Sequence, residues 1–422
     1  MTAPPNIANH RLTNPVSLSV LPMSAEAIDI TGAQPGSASG KVELQLTENL
    51  EELASEWNHL RSKGVGNPYH GFLWCQAFQN TLGTAERSRP LIALLRLAGR
   101  PVLLLPLSLF THNGIKVLTF LGARIGNQNT GLWDKAFYDA VGPAAIRSVL
   151  DQVCRESRAD CIDLQNVPCQ WNDRAHPLVL DSALTSPNPL YLGSVSGTFE
   201  DVFKALHSKS ARKNLTRKQR HLQEAGSYEI RVCQQPVEIE AGLEAFFKQR
   251  EARAQITGVP NAFSRPEAKS FLRQATQSPA LSVSPDNTSA PLKIWTLSVS
   301  GHVRATYLCA RDGLTLHAYS NSVAHDEFLK NSPGLVLIRE IVEKICADPD
   351  TTTLDLGIGE EHYKTSWTHP EPMCDSRYSR TARGKIYSAV QTAKTRLKSH
   401  IRNSDRLWTM VKKLRQMRAS GN

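Results

Sequence analysis

The chain has 422 residues, of which 41% are hydrophobic and 21% are charged, so it is neither disordered throughout nor a fibrous repeat. Its length predicts two or three domains. The formal net charge of +10 is concentrated at one end: residues 380–422 hold 12 Lys or Arg and one acid, Asp405, which gives +11 and leaves about −1 for the rest. We therefore expect a near-neutral body with a basic C-terminal tail.

Neither a membrane span nor a secretory signal is predicted. The most apolar stretch, 91–110, is interrupted by two arginines and two prolines and falls short of the roughly 20 apolar residues that cross a bilayer. The first ten residues, MTAPPNIANH, lack the order of positive and then apolar residues of a secretory signal. A cytoplasmic protein is therefore expected.

The first domain is predicted over 41–190, after a leader over 1–40 whose five prolines and three charged residues show no periodicity. Leu50, Leu53 and Trp57 begin a helical pattern. Further helices are expected around 72–78 and 143–157, and strands at 91–97, 101–110, 115–120 and 160–165. This mixture predicts an α/β or α+β unit.

A second domain is predicted over 191–380, because residues 181–190 have the composition of a connector. Its expected order is helix, strand, helix, three antiparallel strands, helix, strand and helix. The predicted bounds are 198–225, 228–233, 237–254, 293–299, 303–310, 314–320, 332–346 and 352–356, with helix resuming near Glu361. The rest, 381–422, is predicted as a basic amphipathic helical tail.

The start of the 332–346 helix is a candidate anion site. Ser332 is expected as its N-cap with Pro333 in the first turn, and a helix start offers N–H groups and partial positive charge to a phosphate or carboxylate. Gly334 would let a ligand approach the backbone closely. An ordinary capped helix is the simpler explanation.

The stretch 354–367, LDLGIGEEHYKTSW, places polar groups at the carboxyl end of a strand, where open sheets often bind ligands. Asp355 or Glu361 is a candidate general base, and Tyr363 is a candidate acid or hydrogen-bond donor. The alternative, equally supported, is that Asp355 caps the turn while Tyr363 and Trp367 pack.

The helix around 209–220 is basic. Lys209, Arg212, Lys213 and Arg220 lie near one face, which suits an anionic partner such as a phosphate, RNA or an acidic glycan. A solvated charged helix is the simpler alternative.

Other common sites are not predicted. The eight cysteines include no CxxC pair, so we expect buried free thiols in place of disulfides or zinc ligands. His362 and His369 lack a third ligand at a useful spacing, so no metal is expected. No GxSxG or P-loop pattern occurs.

The order of elements resembles the GNAT acyltransferase superfamily, and more narrowly the acetyltransferase-like proteins of bacterial polysaccharide gene clusters associated with cellulose biosynthesis. The stretches that carry the resemblance are Asn67–Trp74 (NPYHGFLW), 209–226, Ser332–Leu337 (SPGLVL) and Asp355–Lys364 (DLGIGEEHYK). Fem-type aminoacyltransferases are also similar. The resemblance implies an α/β (α+β) fold of two tandem GNAT-like domains with mixed, largely antiparallel sheets and a C-terminal helical extension.

The resemblance also implies where the chemistry occurs. An acyl thioester would lie between splayed strands, here 314–320 and 352–356, and an amine or hydroxyl would attack it. The first domain would shape the substrate site without taking part in the chemistry. The residues implied as catalytic are Asp355, Glu361, Tyr363 and Lys364. Those implied in cofactor binding are Tyr319, Asn321, Ser332, Gly334 and Leu335. Those implied in substrate or anion binding are Lys209, Arg212, Lys213 and Trp367.

The donor is where this sequence departs from the family. Typical members that bind coenzyme A have a Gln/Arg-x-x-Gly-x-Gly/Ala loop around the pyrophosphate, whereas residues 325–334 read HDEFLKNSPG, with one glycine and two acids. The expected donor is therefore acyl-CoA, an acyl-carrier protein or an aminoacyl-tRNA. RNA is a partner only in the last case.

The tail has two apolar stripes with basic residues on the other faces. The first is Ile386, Val390, Ala393, Leu397 and Ile401, and the second is Trp408, Val411, Leu414 and Met417. Such a helix suits an anionic membrane surface. Packing of the stripe on the body and electrostatic binding of RNA are the alternatives.

The predicted function is transfer of an acyl group to an amine or hydroxyl of an envelope polysaccharide or its precursor, in the cytoplasm or peripherally at the inner face of the membrane. A Fem-like transferase that uses aminoacyl-tRNA is one alternative. A GNAT-fold accessory subunit of polysaccharide assembly, without catalysis, is the other.

Overall fold

The computed structural model describes residues 21–23, 42–171, 173–277, 290–404 and 406–411. In these ranges the strands are, in chain order, β1 (Leu21–Met23), β2 (Val42–Thr47), β3 (Arg89–Leu97), β4 (Arg100–His112), β5 (Ile115–Phe120), β6 (Leu132–Trp133), β7 (Cys161–Pro168), β8 (Gln170–Trp171), β9 (Arg174–Ala175), β10 (Leu184–Thr185), β11 (Leu190–Ser194), β12 (Tyr228–Val232), β13 (Lys293–Val299), β14 (His302–Asp312), β15 (Thr315–Val323), β16 (Thr353–Ile358), β17 (His369–Glu371) and β18 (Met373–Ser379).

The helices of the same ranges are α1 (Ala54–Lys63), α2 (Phe72–Phe78), α3 (Lys135–Ala140), α4 (Pro143–Ser157), α5 (Phe199–Leu206), α6 (Lys209–Glu224), α7 (Pro236–Thr257), α8 (Pro266–Thr276), α9 (Pro333–Cys346) and α10 (Ala382–Arg402). Short 3-10 turns occur at Leu50–Leu53, Pro68–His70, Leu329–Asn331 and Lys364–Ser366, and a π turn follows α2 at Gln79–Gly83.

The two halves of the chain repeat one arrangement. Four antiparallel strands, β2 to β5, are followed by α4 and a fifth strand, β7, that pairs with β5 in parallel. In the second half, β12 to β15 are followed by α9 and by β16, which pairs with β15 in parallel. Parallel neighbours need a crossover, and in each half an amphipathic helix supplies it. The predicted α/β class with mixed, largely antiparallel sheets is confirmed.

The first sheet includes a strand from beyond the expected boundary of the first domain. The first sheet has the order β1-β2-β3-β4-β5-β7-β18-β10, and the second has the order β12-β13-β14-β15-β16-β11-β17. β18 lies within the predicted second domain, 191–380, yet pairs antiparallel with β7 of the first sheet. The sequence boundary therefore differs from the sheet membership, because the chain returns to the first sheet after β17.

Part of the predicted flexible leader is ordered. Leu21–Met23 pairs antiparallel with β2, with Leu21 opposite Leu44. The other residues of the leader lie outside the described residues, as do Leu414 and Met417 of the second tail stripe.

Two helix predictions differ from the structure in the second half. The helix expected over 198–225 is two helices, α5 and α6, because the Ser208 side chain accepts a hydrogen bond from the Ala211 N–H and caps a new start. The helix expected near Glu361 is only a 3-10 turn, Lys364–Ser366.

Aromatic side chains pack the two halves together. The Trp74 ring of α2 meets the Phe271 ring of α8 at 5.0 Å and the Tyr319 ring of β15 at 5.1 Å, both edge-on. Trp74 and Phe271 are fully buried, and burial of each such side chain stabilises the fold by about 3 kcal/mol. This packing fixes β15 against the first half of the chain.

One cysteine pair contradicts the expectation of free thiols. Cys169 and Cys374 form a disulfide with a Cα–Cα distance of 5.5 Å, across 205 residues of sequence. The bond forms because β18 lies beside β7, which no spacing of cysteines reveals. The other six cysteines are free, and all but the half-buried Cys346 are buried.

Two properties concern only the described ranges. None of their helices combines the length and the hydropathy needed to span a bilayer. They also contain no group of three His, Cys, Asp or Glu side chains arranged to hold a metal ion.

Candidate functional site

The parallel strands β15 and β16 separate and leave a cavity between them. Their pairing stops at His317 and Asp355, although β15 continues to Val323 and β16 to Ile358. A cavity of about 530 Å³ lies in this gap, and one of about 280 Å³ adjoins it and reaches the first turn of α9. The residues that line both cavities are Arg250, Arg253, Tyr307, Asn321, Glu361 and Tyr363.

Tyr363, the predicted acid, is held at the junction of the two cavities. Its hydroxyl accepts hydrogen bonds from Asn321 Nδ2 at 2.9 Å and from the Tyr307 hydroxyl at 3.1 Å. Burial, together with Tyr307 and Glu361, raises the pKa of Tyr363 well above its usual value. Because two donors occupy its oxygen and it stays protonated, Tyr363 can offer its own proton to an acceptor.

Glu361, one of the two predicted bases, lines both cavities beside an arginine. Its Oε1 accepts a hydrogen bond from Arg253 Nη2 at 2.9 Å. Burial by itself raises the pKa of Glu361, but hydrogen bonds from Arg253 and Tyr363 and the charge of Lys364 outweigh it and lower the pKa. Glu361 is therefore ionised at neutral pH and sits beside a protonated phenol.

Lys364 supports the turn that carries these two residues. Its ammonium donates to the Ile358 carbonyl at 2.9 Å and lies 5.5 Å from the Tyr191 ring centroid. Burial lowers the pKa of Lys364, against the opposing effect of Glu361 and Asp355. Its contacts hold the chain after β16 in place.

Asp355, the other predicted base, lies beneath the cavity and lines neither one. It is fully buried, and its oxygens accept from Gly357 N–H at 2.6 Å and Gln128 Nε2 at 2.8 Å and lie 2.6 Å from His317 Nδ1. The bond to Gly357 is the turn cap that the alternative interpretation described. Because its oxygens are hydrogen-bonded inside the protein, Asp355 serves to hold β16 in position.

The first half of the chain supplies part of this site through the segment 127–131. Asn67 of the NPYHGFLW motif donates to the Gln128 carbonyl at 3.1 Å and to Thr130 Oγ1 at 2.9 Å, which holds the segment. From it, Gln128 reaches Asp355, and Asn127 lines the larger cavity and donates to the Tyr319 carbonyl at 3.3 Å. The motif thus supports the wall of the larger cavity indirectly, by holding the segment 127–131.

The start of α9 lines the smaller cavity but differs from the expected cap. Ser332 occupies the N-cap position without a capping side-chain bond; its Oγ accepts from Lys218 Nζ at 2.7 Å. A Cβ at Gly334 would lie 2.7 Å from Val323 Cγ2, so packing against β15 explains this glycine. Leu335 lines the same cavity.

Tyr319 and Asn321, both predicted to bind the cofactor, make different kinds of contact. Asn321 Nδ2 donates to Tyr307 at 2.8 Å as well as to Tyr363, so it orients both phenols. The Tyr319 ring is buried against Tyr69, at 5.8 Å, and Trp74. Tyr319 therefore forms the floor of the larger cavity, which it lines.

The predicted anion-binding residues lie away from the gap where β15 and β16 separate. Lys209 and Lys213 are exposed at the start of α6, and Arg212 Nη1 donates to the His207 carbonyl at 2.6 Å. Trp367 is buried in the core, with its ring stacked on Phe203 at 5.8 Å. It presents no surface to a ligand.

Arg250 is a site residue that the sequence reasoning missed. It lies on α7, lines both cavities and is half-buried, and within the described ranges it forms no ion pair. Burial, and then the charge of Arg253, lower the pKa of Arg250. The signal available was the QREAR sequence at 249–253, whose arginines are three residues apart and so share a helix face.

The family comparison agrees with this geometry. Residues 209–365 match the family model described as an acetyltransferase (GNAT) domain. The match begins at α6 and ends just after Tyr363 and Lys364, so it contains both strands of the splay. No curated protein matches the chain.

Several solved structures align with most of the chain at low sequence identity. The crystal structure of FemX aligns with a TM-score of 0.50 and 9% identity over 77% of this chain and 95% of that one. A conserved protein of unknown function from Bacteroides thetaiotaomicron has a TM-score of 0.46 and 12% identity, over 78% of this chain and 99% of that one. A tandem GNAT protein from the clavulanic acid biosynthesis pathway has a TM-score of 0.40 and 10% identity, over 80% and 98%. The similarity to FemX concerns the fold alone, and the predicted mixed α/β fold with a helical C-terminal region is confirmed.

Proposed function

We propose that the chain transfers an acyl or aminoacyl group from an activated carrier to an amine or hydroxyl at the splay of β15 and β16. The observation that carries the proposal is the pair Glu361 and Tyr363, one ionised and one protonated, which line the same cavities in the gap of a GNAT domain. A base and an acid side by side are what acyl transfer requires.

The proposed proton path balances within this pair. The acceptor nitrogen or oxygen bonds to the acyl carbonyl carbon, and the bond from that carbon to the carrier breaks. The Glu361 carboxylate takes the proton of the acceptor, and Tyr363 gives its proton to the leaving sulfur or oxygen. The proton on Glu361 then returns to Tyr363 through their hydrogen bond, so one proton has moved from acceptor to carrier.

We propose that the acyl carrier is bound mainly by arginine side chains, and less by backbone N–H groups at the start of α9. At the start of α9, Pro333 has no N–H, and the N–H groups of Leu335 and Val336 both donate to the Ser332 carbonyl, at 2.9 and 3.1 Å. Arg250 and Arg253 supply guanidinium groups in the same cavities. A phosphate or carboxylate of the bound substrates would pair with Arg250. Acyl-CoA and an acyl-carrier protein both bring such a phosphate.

The proposed acceptor is a polysaccharide or its precursor. Trp408 lines the larger cavity, with the Arg402 guanidinium 5.5 Å from its ring centroid. An indole face in a cavity wall offers a flat apolar surface on which a sugar ring packs. This supports a glycan acceptor, which the resemblance first indicated.

Aminoacyl-tRNA is the second candidate donor. The fold similarity to FemX and the exposed basic face of α6, with Lys209 and Lys213, favour it. In this case the leaving atom is an ester oxygen, and the roles of Glu361 and Tyr363 are unchanged. RNA binding would then weaken steeply with added salt.

The deciding experiment offers the purified chain three donors: acetyl-CoA, a longer acyl-CoA, and charged bulk tRNA, each with an amino-sugar acceptor. We expect transfer from one donor class, measured by mass spectrometry of the acceptor, and loss of that transfer in Tyr363→Phe. Tyr378→Phe is the matched control, because its hydroxyl bonds to Asp151, away from the splay.

Transfer that continues unchanged in Tyr363→Phe would overturn the proposed role of this residue. No binding of any donor by calorimetry, together with no transfer, would leave the accessory-subunit alternative and overturn the enzymatic proposal.

A further inference from the structure

Helix α10 uses one face to pack on the first sheet. A Cβ at Gly384 would lie 2.2 Å from the Asp160 carbonyl oxygen, so the helix backbone touches the residue just before β7. Tyr387 is buried with Val117 and Cys161, and Thr395 Oγ1 donates to Asp375 of β18 at 3.1 Å. This face, which the sequence periodicity did not indicate, is the one that holds α10 to the body.

The predicted apolar stripe lies on the opposite face and is exposed. Ile386 is 62% exposed, Val390 47% and Leu397 60%. Spacings of four and seven residues put these three side chains in one line along the helix. The alternative in which the stripe packs on the body is therefore excluded for the part of the tail that the structure describes.

Basic side chains border this stripe on both sides. At 100° per residue, Arg383 and Lys394 fall on one flank and Lys385 and Arg396 on the other. All four are exposed, and within the described ranges none of them forms an ion pair. The sequence from Arg380 to Ser404 contains no Asp or Glu.

We propose that the outer face of α10 binds the surface of an anionic lipid bilayer. An apolar line with lysines and arginines along both edges is the arrangement in which aliphatic side chains enter the headgroup region while the cations reach lipid phosphates. A second copy of this chain is disfavoured as the occupant, because two such faces would bring like charges together. The proposal does not depend on the proposed reaction.

The C-terminal end of α10 reaches the candidate active site, on the face of the helix that packs on the body. α10 ends at Arg402, which lines the larger cavity and donates to the Pro187 carbonyl. The next turn carries Trp408, which lines the same cavity. The helix that we propose to bind the bilayer therefore also leads directly into the wall of this cavity.

The test is co-sedimentation of the full chain with vesicles of phosphatidylcholine alone or with about 30% phosphatidylserine, at low and high salt. We expect the partition coefficient to be at least about tenfold higher on the anionic vesicles and to fall with salt. Ile386→Gln/Leu397→Gln should lower it about tenfold, because glutamine keeps the helix but removes the apolar line. Val237→Gln, which changes an aliphatic residue on α7 that is even more exposed, at 76%, should leave binding unchanged.

A charge variant separates the two contributions. Lys394→Gln/Arg396→Gln should remove most of the preference for anionic vesicles. Equal binding to neutral and anionic vesicles, or full binding by the Ile386→Gln/Leu397→Gln variant, would overturn the proposal. Self-association that the same variant abolishes, in the absence of vesicle binding, would identify a second copy as the occupant and would also overturn it. Circular dichroism confirms that each variant is folded.

Discussion

At the scale of single residues, Tyr363 provides the sharpest test of the site. Tyr363→Phe removes the proton that the leaving atom needs but keeps the ring. We expect kcat to fall about a hundredfold or more with little change in KM, because the contact matters mainly in the transition state. Steady-state kinetics with the donor found active gives both constants, and a parallel fall in binding affinity would assign Tyr363 to substrate binding.

The lowered pKa of Glu361 predicts how activity depends on pH. Because its pKa is lowered from the ordinary value of 4.5, Glu361 stays ionised down to that pH and gains a proton only below it. The contribution of Glu361 to kcat/KM should therefore be constant above pH 4.5 and decline in more acidic solution. Arg253→Gln removes a group that lowers this pKa, so the acidic decline should move to higher pH.

The control for this pH profile is Glu361→Gln, which should lose the acidic decline together with most of the activity. A decline that stays at the same pH in Arg253→Gln would show that a different group titrates. Thermal unfolding at each pH separates loss of activity from loss of structure.

Residue types and spacing placed Glu361 and Tyr363 near one another, and the resemblance implied a role for Asn321. The structure brings these three into one cavity wall. The sequence left the role of Asp355 undecided, because the side-chain amide that donates to its carboxylate belongs to Gln128, 227 residues away. Arg250 was missed because an arginine on an amphipathic helix is usually solvated. Its cavity exists only once α7 packs across β15.

At the scale of elements, the last residues of β16 and the turn after it form part of the cavity wall. Gly357 and Gly359 both have positive φ, 73° and 95°. A Cβ at Gly357 would lie 2.4 Å from Asn127 Nδ2, whereas a Cβ at Gly359 meets no atom within 4 Å. The two glycines therefore share a backbone requirement, but only a side chain at Gly357 would collide with Asn127; Gly359 itself lines the larger cavity.

Gly357→Ala and Gly359→Ala form a matched pair. Each should lower the free energy of unfolding by about 1–2 kcal/mol, since alanine is disfavoured at positive φ. Only Gly357→Ala should displace Asn127 from its bonds to Tyr69 and the Tyr319 carbonyl, and so lower kcat/KM. Denaturant unfolding and kinetics of both variants test this; a kcat/KM of Gly357→Ala equal to that of the native chain would show that Asn127 does not shape the site.

Most elements of the second half were predictable because their signals are local. The tight turns between β13, β14 and β15, and the apolar periodicity of α9, depend on neighbours in sequence. The break between α5 and α6 was not predicted, because it depends on Ser208 acting as a cap inside an otherwise helical pattern. The apolar stripe of α10 was identified correctly, but the sequence could not show that the opposite face packs.

At the scale of the whole molecule, β18 ties the two halves together. It follows the strands of the second sheet in the chain but pairs in the first sheet, beyond the boundary expected for the first domain. Pairings of this kind join distant residues, for example Cys374 opposite Val167. Local patterns carry no information about such partners, which explains why the domain limits predicted from composition differ from the sheets.

The Cys169–Cys374 disulfide closes this arrangement covalently, and its removal should destabilise the whole chain. It joins residues 205 positions apart, so in the unfolded state it restricts a very long loop. A loop of this length predicts stabilisation of about 5 kcal/mol from chain entropy, and measured values for disulfides are commonly about 2–4 kcal/mol. Reduction should therefore lower the guanidinium midpoint of unfolding.

The measurement compares unfolding with and without dithiothreitol, in the native chain and in Cys169→Ser/Cys374→Ser. The double variant should unfold at the midpoint of the reduced native chain and should not respond to dithiothreitol. Because the bond lies at the edge where β18 joins β7, its loss should first release β18 and α10 from the first sheet. Hydrogen exchange should then rise in 373–402 before it rises in β13 to β15. Equal midpoints for the oxidised and reduced chains would show that strand pairing alone secures β18.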